Sequence, residues 1–421
     1  MYLYAVLALL GIAWWVRWLL KPEPVPKVRP PPADTDFTRR PGLSGAMRDF
    51  APATGLRYVV IGGTGSVGLR LVEALVERGE THVVSFDIKP CPKRRPTGAR
   101  FVTGDVCSYA DVRAACEGAD VVFATFALIK PHERLACLYA PCHAVNVVGT
   151  EHVVRACVEA GVPILVQTST SNVCVSPAIA MPLMDEASAY VDAHTTANHY
   201  SWTKAQAERV VLGAHGTPLS HARASGSLAT ASIRPCSALI GPDDVNICER
   251  WLQQGFAVVT AASATIDWVF VDDVVWAHLL AERRLREEPR RVGGQAFCIS
   301  QDEPASFEQV VCTLKTFYDQ MTLRPLGVRH LPPRVADLLA ACVEGATYLK
   351  GKSLRADIGK LSPATLAICR LSYVFSVKKA RQQLGWEPLY TLSEALQCTV
   401  ARGLERMGQR VRGGAGAVQL N

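Results

Sequence analysis

The sequence predicts an α/β protein built on a doubly wound parallel sheet, followed by a smaller mixed region. Three observations lead to this prediction: a strand, a glycine turn and a helix in succession, a regular alternation of strands and helices after them, and its loss beyond residue 240. Residues 58–61 are a short apolar, β-branched run, which is typical of a buried parallel strand. Apolar residues at helical spacing follow over residues 69–78, and residues 82–86 predict a second strand that ends on Asp87.

The turn between the first strand and the first helix carries glycines at a fixed spacing, Gly62, Gly65 and Gly68. In a Rossmann-type nucleotide site the first permits a tight turn, the second lets the backbone approach a pyrophosphate, and the third allows close packing of helix and strand. The amides of Ser66 and Val67 lie at the helix N-terminus, where they can face the phosphates. Glycine also marks ordinary turns, but this order of strand, turn, helix and strand predicts a dinucleotide site.

Acidic residues follow the second and third predicted strands. Asp87 is placed to accept hydrogen bonds from the adenosine ribose and would repel a 2′-phosphate, so we expect NAD rather than NADP. Asp105 and Val106, which follow the third strand, are placed to reach the adenine. NADP remains the alternative, because basic residues just beyond Asp87 could fold back onto a phosphate: Lys89, Lys93, Arg94 and Arg95.

Strands and helices continue to alternate up to residue 240. Further strands are predicted at residues 100–103, 120–125, 163–168 and 231–240. Helices are predicted at residues 112–116, 143–160 and 199–212. This order predicts a parallel sheet with right-handed crossovers, so residues 55–240 are assigned to an NAD-binding Rossmann domain.

The region beyond residue 240 is predicted to bind the substrate. We assign residues 241–405 to it and residues 406–421 to a flexible, glycine-rich tail. An apolar helix predicted at residues 331–349 carries Arg334, Asp337 and Glu344, so it is amphipathic rather than membrane-spanning. Two interpretations of its apolar face remain open: packing in the core, and contact with lipid or sterol.

The N-terminal residues 1–20 are apolar except for Arg17. Twenty helical residues rise about 30 Å, which matches the hydrocarbon core of a bilayer, so we predict a membrane anchor helix. A signal peptide is disfavoured, because no basic stretch precedes the segment and no clear cleavage site follows it. Basic residues follow the segment, so the positive-inside rule places the main body in the cytosol. An interfacial anchor is the alternative, because Arg17 shortens the uncharged span.

Composition bounds the remaining possibilities. Residues 21–54 are rich in proline and arginine and are predicted to be a partly extended linker. The net charge of +7 comes from scattered basic residues without interleaved aromatic ones, so no nucleic-acid site is predicted. The 14 cysteines form no regular disulfide framework and no zinc spacing, which predicts buried free thiols in a reducing compartment and no metal site.

A tyrosine and a lysine one helical turn apart, Tyr200 and Lys204, provide the chemistry. A nearby ammonium lowers the pKa of a phenol, so we expect Lys204 to make Tyr200 a better general base and also to hold a ribose hydroxyl of the cofactor. Residues 168–171 offer hydroxyls that can bind a substrate oxygen. Together these groups suit hydride transfer between an alcohol carbon and a nicotinamide. A second copy of the spacing, Tyr348 and Lys352, falls outside the alternating half and is interpreted as structural.

The chain resembles an extended short-chain dehydrogenase/reductase of the 3β-hydroxysteroid dehydrogenase/isomerase family, from about Arg57 to Gly403. Residues 168–173, 199–208 and 361–385 look closest to the 42E branch, which neighbours the sterol-4α-carboxylate 3-dehydrogenases. The resemblance rests on the glycine spacing and on several blocks of sequence: 146–150 with Cys157, 167–170, Tyr200 with Lys204, 233–235 with 241–242, 267–274 with 277–278, 294–304, 375–376 and 384–386.

The resemblance implies catalytic roles for four residues: Thr170 as the catalytic Ser/Thr, Tyr200 as the acid/base, Lys204 as its assistant, and Asn146 in the proton relay. Three positions depart from the family pattern and put the fit of the cofactor in question: Ala124, Phe126 and Gln167.

The resemblance also implies an activity and a location. We expect NAD-dependent oxidation of a sterol or steroid secondary alcohol at the endoplasmic reticulum membrane, by a catalytic domain in the cytosol that can form a homodimer. The alternatives are decarboxylating oxidation of a 4α-carboxysterol, a nucleotide-sugar epimerase or reductase, and a non-catalytic dinucleotide-sensing scaffold.

Structural roles are expected for several polar residues near these blocks. His278 and Trp276 lie in an apolar helical stretch and are interpreted as core residues. Arg234, which precedes a proline, is expected to fix a loop. Asp272 and Asp273 are expected to cap the helix that follows them.

Overall fold

The structure is a computed structural model, and it describes residues 42–49, 52–90, 96–220, 226–242, 244, 247–260, 263–322, 325–353 and 360–407. The membrane anchor predicted for residues 1–20 lies outside the described residues, as do most of the predicted linker and the tail from residue 408 onwards. In the described part of the chain, no helix combines the length and the apolar character needed to cross a bilayer.

The strands are short and mostly buried. In chain order they are β1 (Arg57–Ile61), β2 (His82–Asp87), β3 (Ala99–Thr103), β4 (Val121–Ala124), β5 (Ile164–Thr168), β6 (Leu183–Met184), β7 (Ala229–Pro235), β8 (Ala238–Ile240), β9 (Phe256–Val259), β10 (Thr265–Ile266), β11 (Trp268–Phe270), β12 (Gln295–Ile299), β13 (Ala305–Ser306), β14 (Gly327–His330) and β15 (Val374–Phe375). Among the described residues, seven of them form one sheet in the order β12-β7-β5-β4-β1-β2-β3. Every neighbouring pair in it is parallel, which confirms the predicted Rossmann-type sheet.

Helices connect the strands and cover the sheet. In chain order they are α1 (Gly42–Asp49), α2 (Ser66–Glu77), α3 (Tyr109–Cys116), α4 (Tyr139–His143), α5 (Gly149–Ala160), α6 (His199–Gly213), α7 (Cys248–Gln254), α8 (Val271–Glu287), α9 (Pro289–Val292), α10 (Phe307–Met321), α11 (Pro333–Lys350), α12 (Pro363–Cys369), α13 (Lys378–Leu384) and α14 (Leu392–Arg406). A π-helical turn, Ala144–Val148, joins α4 to α5.

Successive residues of β1 face opposite sides of the sheet. Tyr58 and Val60 lie in one hydrophobic cluster with side chains of α2 and α8. Val59 and Ile61 lie in a second cluster with side chains of α3 and α5. Helices therefore cover both faces, which is the doubly wound arrangement predicted from the sequence, and the carboxyl ends of the strands are left to form a site.

The sheet differs from the predicted one at its β7 edge. The single strand predicted at residues 231–240 divides into β7 and β8 around Ser237, whose φ of 55° turns the chain. β8 then pairs with β11 outside the main sheet. The sheet gains β12 instead, from the region assigned to substrate binding, because the chain returns through α8 and pairs beside β7. The domain boundary at residue 240 remains a prediction, although the sheet includes β12, which lies beyond that residue in the sequence.

Part of the predicted linker is folded, which corrects the sequence analysis. Residues 42–49 form α1, and Leu43 and Met47, four residues apart on one face, are buried in the main core. The backbone amide of Leu43 donates to the Tyr390 hydroxyl at 3.2 Å. Thr54 also bonds the Glu80 carboxylate, so the chain is fixed to the body before β1 begins. Two apolar residues in a proline-rich stretch are too weak a pattern to predict this helix from the sequence.

The apolar helix α11 lies on the surface. Ala336 and Ala340 pack against Leu366 of α12, so the core-packing interpretation holds for that narrow face. Large apolar side chains on the rest of the helix are exposed: Leu338, Leu339, Tyr348 and Leu349. Tyr348 is 69% exposed, and its interpretation as structural remains a prediction.

Candidate active site

The glycine turn after β1 has the geometry of a phosphate cradle. Gly62 has a φ of +86°, and a Cβ there would lie 2.5 Å from the backbone nitrogen of Phe126. A Cβ at Gly68 would lie 2.1 Å from the carbonyl oxygen of Gly62. Both glycines are therefore required by the protein's own packing. A Cβ at Gly65 would meet only the Gly62 carbonyl, at 3.3 Å, so its bare backbone leaves space for a ligand.

The N-terminus of α2 is open towards this cradle. Gly65 is the N-cap residue, and no side chain caps the helix there. The first backbone amides of a helix have no partner within the helix, so those of Ser66 and Val67 are available to an anion. The uncapped helix and the bare Gly65 together fit a dinucleotide pyrophosphate.

The predicted adenosine contacts lie beside the cradle at the carboxyl edge of the sheet. The carboxylate of Asp87 accepts from the backbone amides of Thr64 at 3.1 Å and Lys89 at 3.0 Å. Each carboxylate oxygen can accept a further hydrogen bond, so Asp87 keeps capacity for ribose hydroxyls. Asp105 accepts from the amide of Cys107 at 2.9 Å and so shapes the turn that carries Val106.

Phe126, one of the departures from the family pattern, lies against Gly62 of the cradle through its backbone and against Gly149 through its ring. A Cβ at Gly149 would lie 3.3 Å from the Phe126 ring and 3.1 Å from a methyl group of Val106. The absent side chain of Gly149 therefore makes room for the bulky Phe126. Gln167, another departure, is buried in the sheet and accepts from the Ser232 hydroxyl at 3.0 Å.

The tyrosine of the predicted catalytic set lies in the first turn of α6. Asn198 caps this helix by accepting from the amide of Ser201 at 2.8 Å. Tyr200 is only 7% exposed, and burial raises its pKa to about 12, while a hydrogen bond with the Thr170 hydroxyl acts in the opposite direction. Thr170 is itself buried directly after β5. The structure therefore brings together the two hydroxyls that were predicted to meet the substrate oxygen.

Lys204 lies one turn further along α6 and is also buried. Its Nζ donates to the carbonyl oxygen of Thr168, at the end of β5, over 2.7 Å. Burial lowers the pKa of Lys204 to about 8, and the Glu208 carboxylate opposes that change. Burial therefore disfavours the charged form of both side chains, and the activation of Tyr200 by Lys204 remains a prediction.

Asn146, the predicted relay residue, lies in the π-helical turn. Its Oδ1 accepts from the Leu128 amide at 2.8 Å, and its Nδ2 donates to the Thr203 hydroxyl at 3.0 Å. Nδ2 also lies 3.2 Å from the Cys142 sulfur. The amide thus ties the π-helical turn to α6 and to the loop after β4. Its part in a proton relay remains a prediction.

A buried ion pair lies beneath the catalytic helix and was missed by the sequence analysis. Arg234 and Glu208 are both fully buried, with Nη2 to Oε1 at 2.6 Å and Nε bonded to both carboxylate oxygens. The Tyr190 hydroxyl donates to the same carboxylate at 2.6 Å. Arg234 thus has the structural role expected of it, although its partner is a helix rather than a loop. In the sequence, Glu208 lies four residues after Lys204, and this spacing was the available indication of a buried acidic residue on that face of α6.

Two acidic residues of α8 do not have the role expected of them. The N-cap is Phe270, which makes no side-chain cap, so Asp272 and Asp273 are not capping residues. Asp272 instead accepts from Arg70 of α2 at 2.7 Å, with both side chains buried. Asp273 accepts from the side chain of Gln301 and from the amide of Leu389. The two aspartates thus join the sheet domain to the C-terminal segments. Contacts between residues so distant in sequence cannot be predicted from a local pattern.

A cavity of about 420 Å³ opens beside the N-terminal end of α6. Its walls include Pro177, Ala193, Trp202 and two alanines of α12, Ala364 and Ala367. These side chains are apolar, but polar ones also line the cavity: Arg134, Thr195, Thr196, Asn198 and His199. The volume is in the range of small-molecule sites, so a ligand of moderate size with apolar and polar groups fits the cavity.

Known proteins share both the sequence and the fold of this chain. The model of the 3-beta hydroxysteroid dehydrogenase/isomerase family matches residues 59–325. Short-chain dehydrogenase/reductase family 42E member 1 of Danio rerio is 33% identical over 360 residues, which cover 82% of this chain and 88% of that protein. The 3 beta-hydroxysteroid dehydrogenase type 7 of Homo sapiens is 30% identical, with 84% of this chain and 97% of that protein covered.

Solved structures of nucleotide-sugar enzymes share the fold. UDP-glucose 4-epimerase from Thermotoga maritima superposes with a TM-score of 0.62 at 20% identity, covering 84% of this chain and 100% of that one. MoeE5, solved with UDP-glucose and NAD, gives a TM-score of 0.60 at 22% identity, with 83% and 99% covered. At these identities the likeness shows the fold alone.

The relatives confirm the predicted class at a coarse level, an oxidoreductase of the short-chain dehydrogenase/reductase type. The identity of the alcohol and the separate roles of the site residues remain predictions. Because the family model spans residues 59–325 and a relative is 33% identical across most of both chains, this chain belongs to the 3-beta hydroxysteroid dehydrogenase/isomerase family.

Proposed function

We propose that this protein is a membrane-anchored, NAD-dependent 3β-hydroxysteroid dehydrogenase-like oxidoreductase that oxidises a secondary alcohol of a sterol or steroid to a ketone. The observation that carries the proposal is the grouping of Thr170, Tyr200 and Lys204 at the carboxyl ends of the strands. The glycine turn and Asp87 lie at the same edge of the sheet.

NAD would be held by the residues at that edge. The amides around Gly65 at the N-terminus of α2 would bind the pyrophosphate, and Asp87 would accept from the adenosine ribose. Bound NAD supplies the acceptor for the hydride that leaves the alcohol carbon. The ammonium of Lys204 has three donors, of which one binds the Thr168 carbonyl, so others remain for a ribose hydroxyl.

The side chains of the site bind the substrate oxygen and move its proton. The Thr170 hydroxyl donates a hydrogen bond to the alcohol oxygen, and Tyr200 takes the proton of that alcohol. Burial makes Tyr200 a phenol at neutral pH, so it must first be activated. A positive charge near a phenol lowers its pKa, and Lys204, on the same face of α6, is the residue that can supply this charge.

Two further features support a sterol or steroid as the substrate. The cavity beside α6 combines small apolar side chains with polar ones such as Arg134 and Asn198, which suits a hydrocarbon ring system that carries a polar substituent. The apolar residues 1–20 would hold the protein at the bilayer in which such a substrate dissolves.

A substrate panel tests the proposal. Membranes that contain the full chain are incubated with NAD and with sterols, steroids and nucleotide sugars, and the products are read by mass. A ketone two hydrogens lighter than a sterol alcohol supports the proposal, whereas conversion of only a nucleotide sugar overturns it. Additional loss of CO₂ from a 4α-carboxysterol would identify the decarboxylating alternative within the same class.

The cofactor preference gives a second test. NAD is expected to bind more tightly than NADP, because the Asp87 carboxylate repels a 2′-phosphate and accepts from a free 2′-hydroxyl. Asp87→Asn removes the charge and should narrow the difference between the two dissociation constants. Titration of both cofactors by intrinsic fluorescence checks this expectation, and tighter NADP binding by the wild type would contradict it.

The anchor gives a third test. Deletion of residues 1–20 is expected to release the protein into the soluble fraction and to leave NAD binding intact, because the glycine turn and α6 lie far from that segment in sequence. Fractionation of carbonate-washed membranes measures the release. Retention of the shortened chain would contradict a single anchor and indicate lipid contact through the exposed side chains of α11, such as Leu338 and Leu349.

A further inference from the structure

We infer that His278 is a positioning residue for Lys204 and that it acts through Thr168. The inference rests on the proposed function in one respect, namely that Lys204 meets the cofactor. His278 was expected to be a core residue, and it is indeed fully buried in the middle of α8. Its Nε2, however, accepts from the hydroxyl of Thr168, the residue whose carbonyl oxygen binds Lys204.

Three hydrogen bonds of similar length connect Val274 to Lys204 through His278 and Thr168. The Nδ1 of His278 lies 2.8 Å from the carbonyl oxygen of Val274, one turn earlier in α8. Its Nε2 lies 2.7 Å from the Thr168 hydroxyl. The carbonyl oxygen of Thr168 in turn accepts from Lys204 Nζ at 2.7 Å. The connection joins α8 to α6 across the last residue of β5.

The partners fix the direction of each hydrogen bond. A carbonyl oxygen only accepts, so His278 Nδ1 carries the proton towards Val274. Burial lowers the pKa of His278 to about 4, so the ring is neutral at physiological pH and Nε2 is an acceptor. The Thr168 hydroxyl therefore donates to His278. A neutral imidazole also adds no second positive charge near Lys204.

This connection fixes the side chain of Thr168, whereas the sheet fixes its backbone. Thr168 is the last residue of β5 and pairs with Ile233 of β7, and its carbonyl oxygen binds Lys204. Its side chain is fixed by His278, whose ring lies against Phe123 of β4 with the ring centroids 6.2 Å apart. An apolar side chain at position 278 could fill this space, but it would leave the Thr168 hydroxyl without an acceptor. The histidine is thus suited to fix the orientation of Thr168 and, through it, of Lys204.

The test measures NAD affinity, which does not require a known alcohol substrate. His278→Leu and Thr168→Val each remove the hydrogen bond between these residues and keep the Thr168 carbonyl. Both should raise the dissociation constant for NAD by about five- to tenfold, since a hydrogen bond between two neutral groups contributes to about that extent. Because both act through one contact, the double variant should match either single variant.

A conservative variant and a packing control separate positioning from stability. His278→Gln places an amide oxygen near the position of Nε2, so it should restore NAD affinity to within about twofold of the wild type. Leu279→Ala removes a fully buried side chain from the same helix; it should lower the melting temperature without changing NAD affinity. The imidazole of His278 should show the Nδ1-protonated signature in ¹⁵N NMR, unchanged from pH 5.5 to pH 8.

Opposite results would overturn the inference. Wild-type NAD affinity in His278→Leu, or an additive loss in the double variant, would show that His278 serves the core alone. Failure of the proposed function looks different, because every sterol alcohol would then go unoxidised while the pattern of NAD affinities among these variants persisted.

Discussion

Tyr200→Phe is expected to leave NAD affinity unchanged and to lower turnover by about 10² or more. The substitution keeps the buried ring and removes only the hydroxyl that bonds Thr170 and is proposed to exchange the substrate proton. Turnover is measured with the alcohol found in the substrate panel, and NAD affinity by fluorescence titration. Normal turnover with a true substrate would remove the oxidoreductase assignment of this site and make the dinucleotide-sensing scaffold the leading alternative.

Three further variants sharpen this experiment. Tyr348→Phe is the matched control, because Tyr348 has the same spacing to a lysine but is 69% exposed on α11, and it should not affect catalysis. Thr170→Ser should be mild and Thr170→Val severe, since only the hydroxyl is needed. Lys204→Met should impair both NAD binding and turnover, because it removes a cofactor contact and the charge available to Tyr200.

Arg234→Met is expected to lower the free energy of unfolding by about 3–5 kcal/mol, because it leaves the fully buried Glu208 carboxylate without its cation. The double variant Glu208→Leu/Arg234→Met removes both charges and should regain most of the loss, although the Tyr190 hydroxyl is left without its acceptor. Urea unfolding followed by circular dichroism measures these differences.

An exposed ion pair on the surface of the same protein is the control for the buried ion pair. Arg283 and Glu287 form an exposed pair one helical turn apart on α8, so Arg283→Ala should leave the unfolding midpoint almost unchanged. A double variant as unstable as Arg234→Met would argue against an electrostatic origin and assign the loss to packing around α6.

The elements that could be predicted from the sequence are those whose structure is determined by residues close together in the chain. The strand β1, the glycine turn and α2 follow from a β-branched run, from glycines that the packing requires, and from apolar residues at helical spacing. The pairing of Tyr200 with Lys204 on one face of α6 likewise follows from a spacing of four. These are the parts of the site for which residues close in sequence decide the geometry.

The remaining parts depend on residues that are distant in sequence. A continuous helix was expected from residue 143, but the structure has a π-helical turn there, where the Asn146 amide bonds both Leu128 and Thr203. β12 joins the sheet beside a strand about sixty residues earlier. The contact between Thr168 and His278 spans more than a hundred residues, and no local pattern could indicate it.

The position of helix α1 determines where a truncation of the chain would damage the folded body. Leu43 and Met47 fill the space between α2 and α8, so the folded body includes residues 42–49 as well as the first strand. A shortened chain that starts just before β1 would expose the apolar side chains between these two helices, and the Tyr390 hydroxyl would keep only its hydrogen bond to Asp272. If residues 1–20 form the proposed membrane anchor, residues 21–41 connect it to the folded body, and a fully extended chain of that length reaches about 70 Å. That reach would set how far from the lipid surface the proposed enzyme meets its substrate.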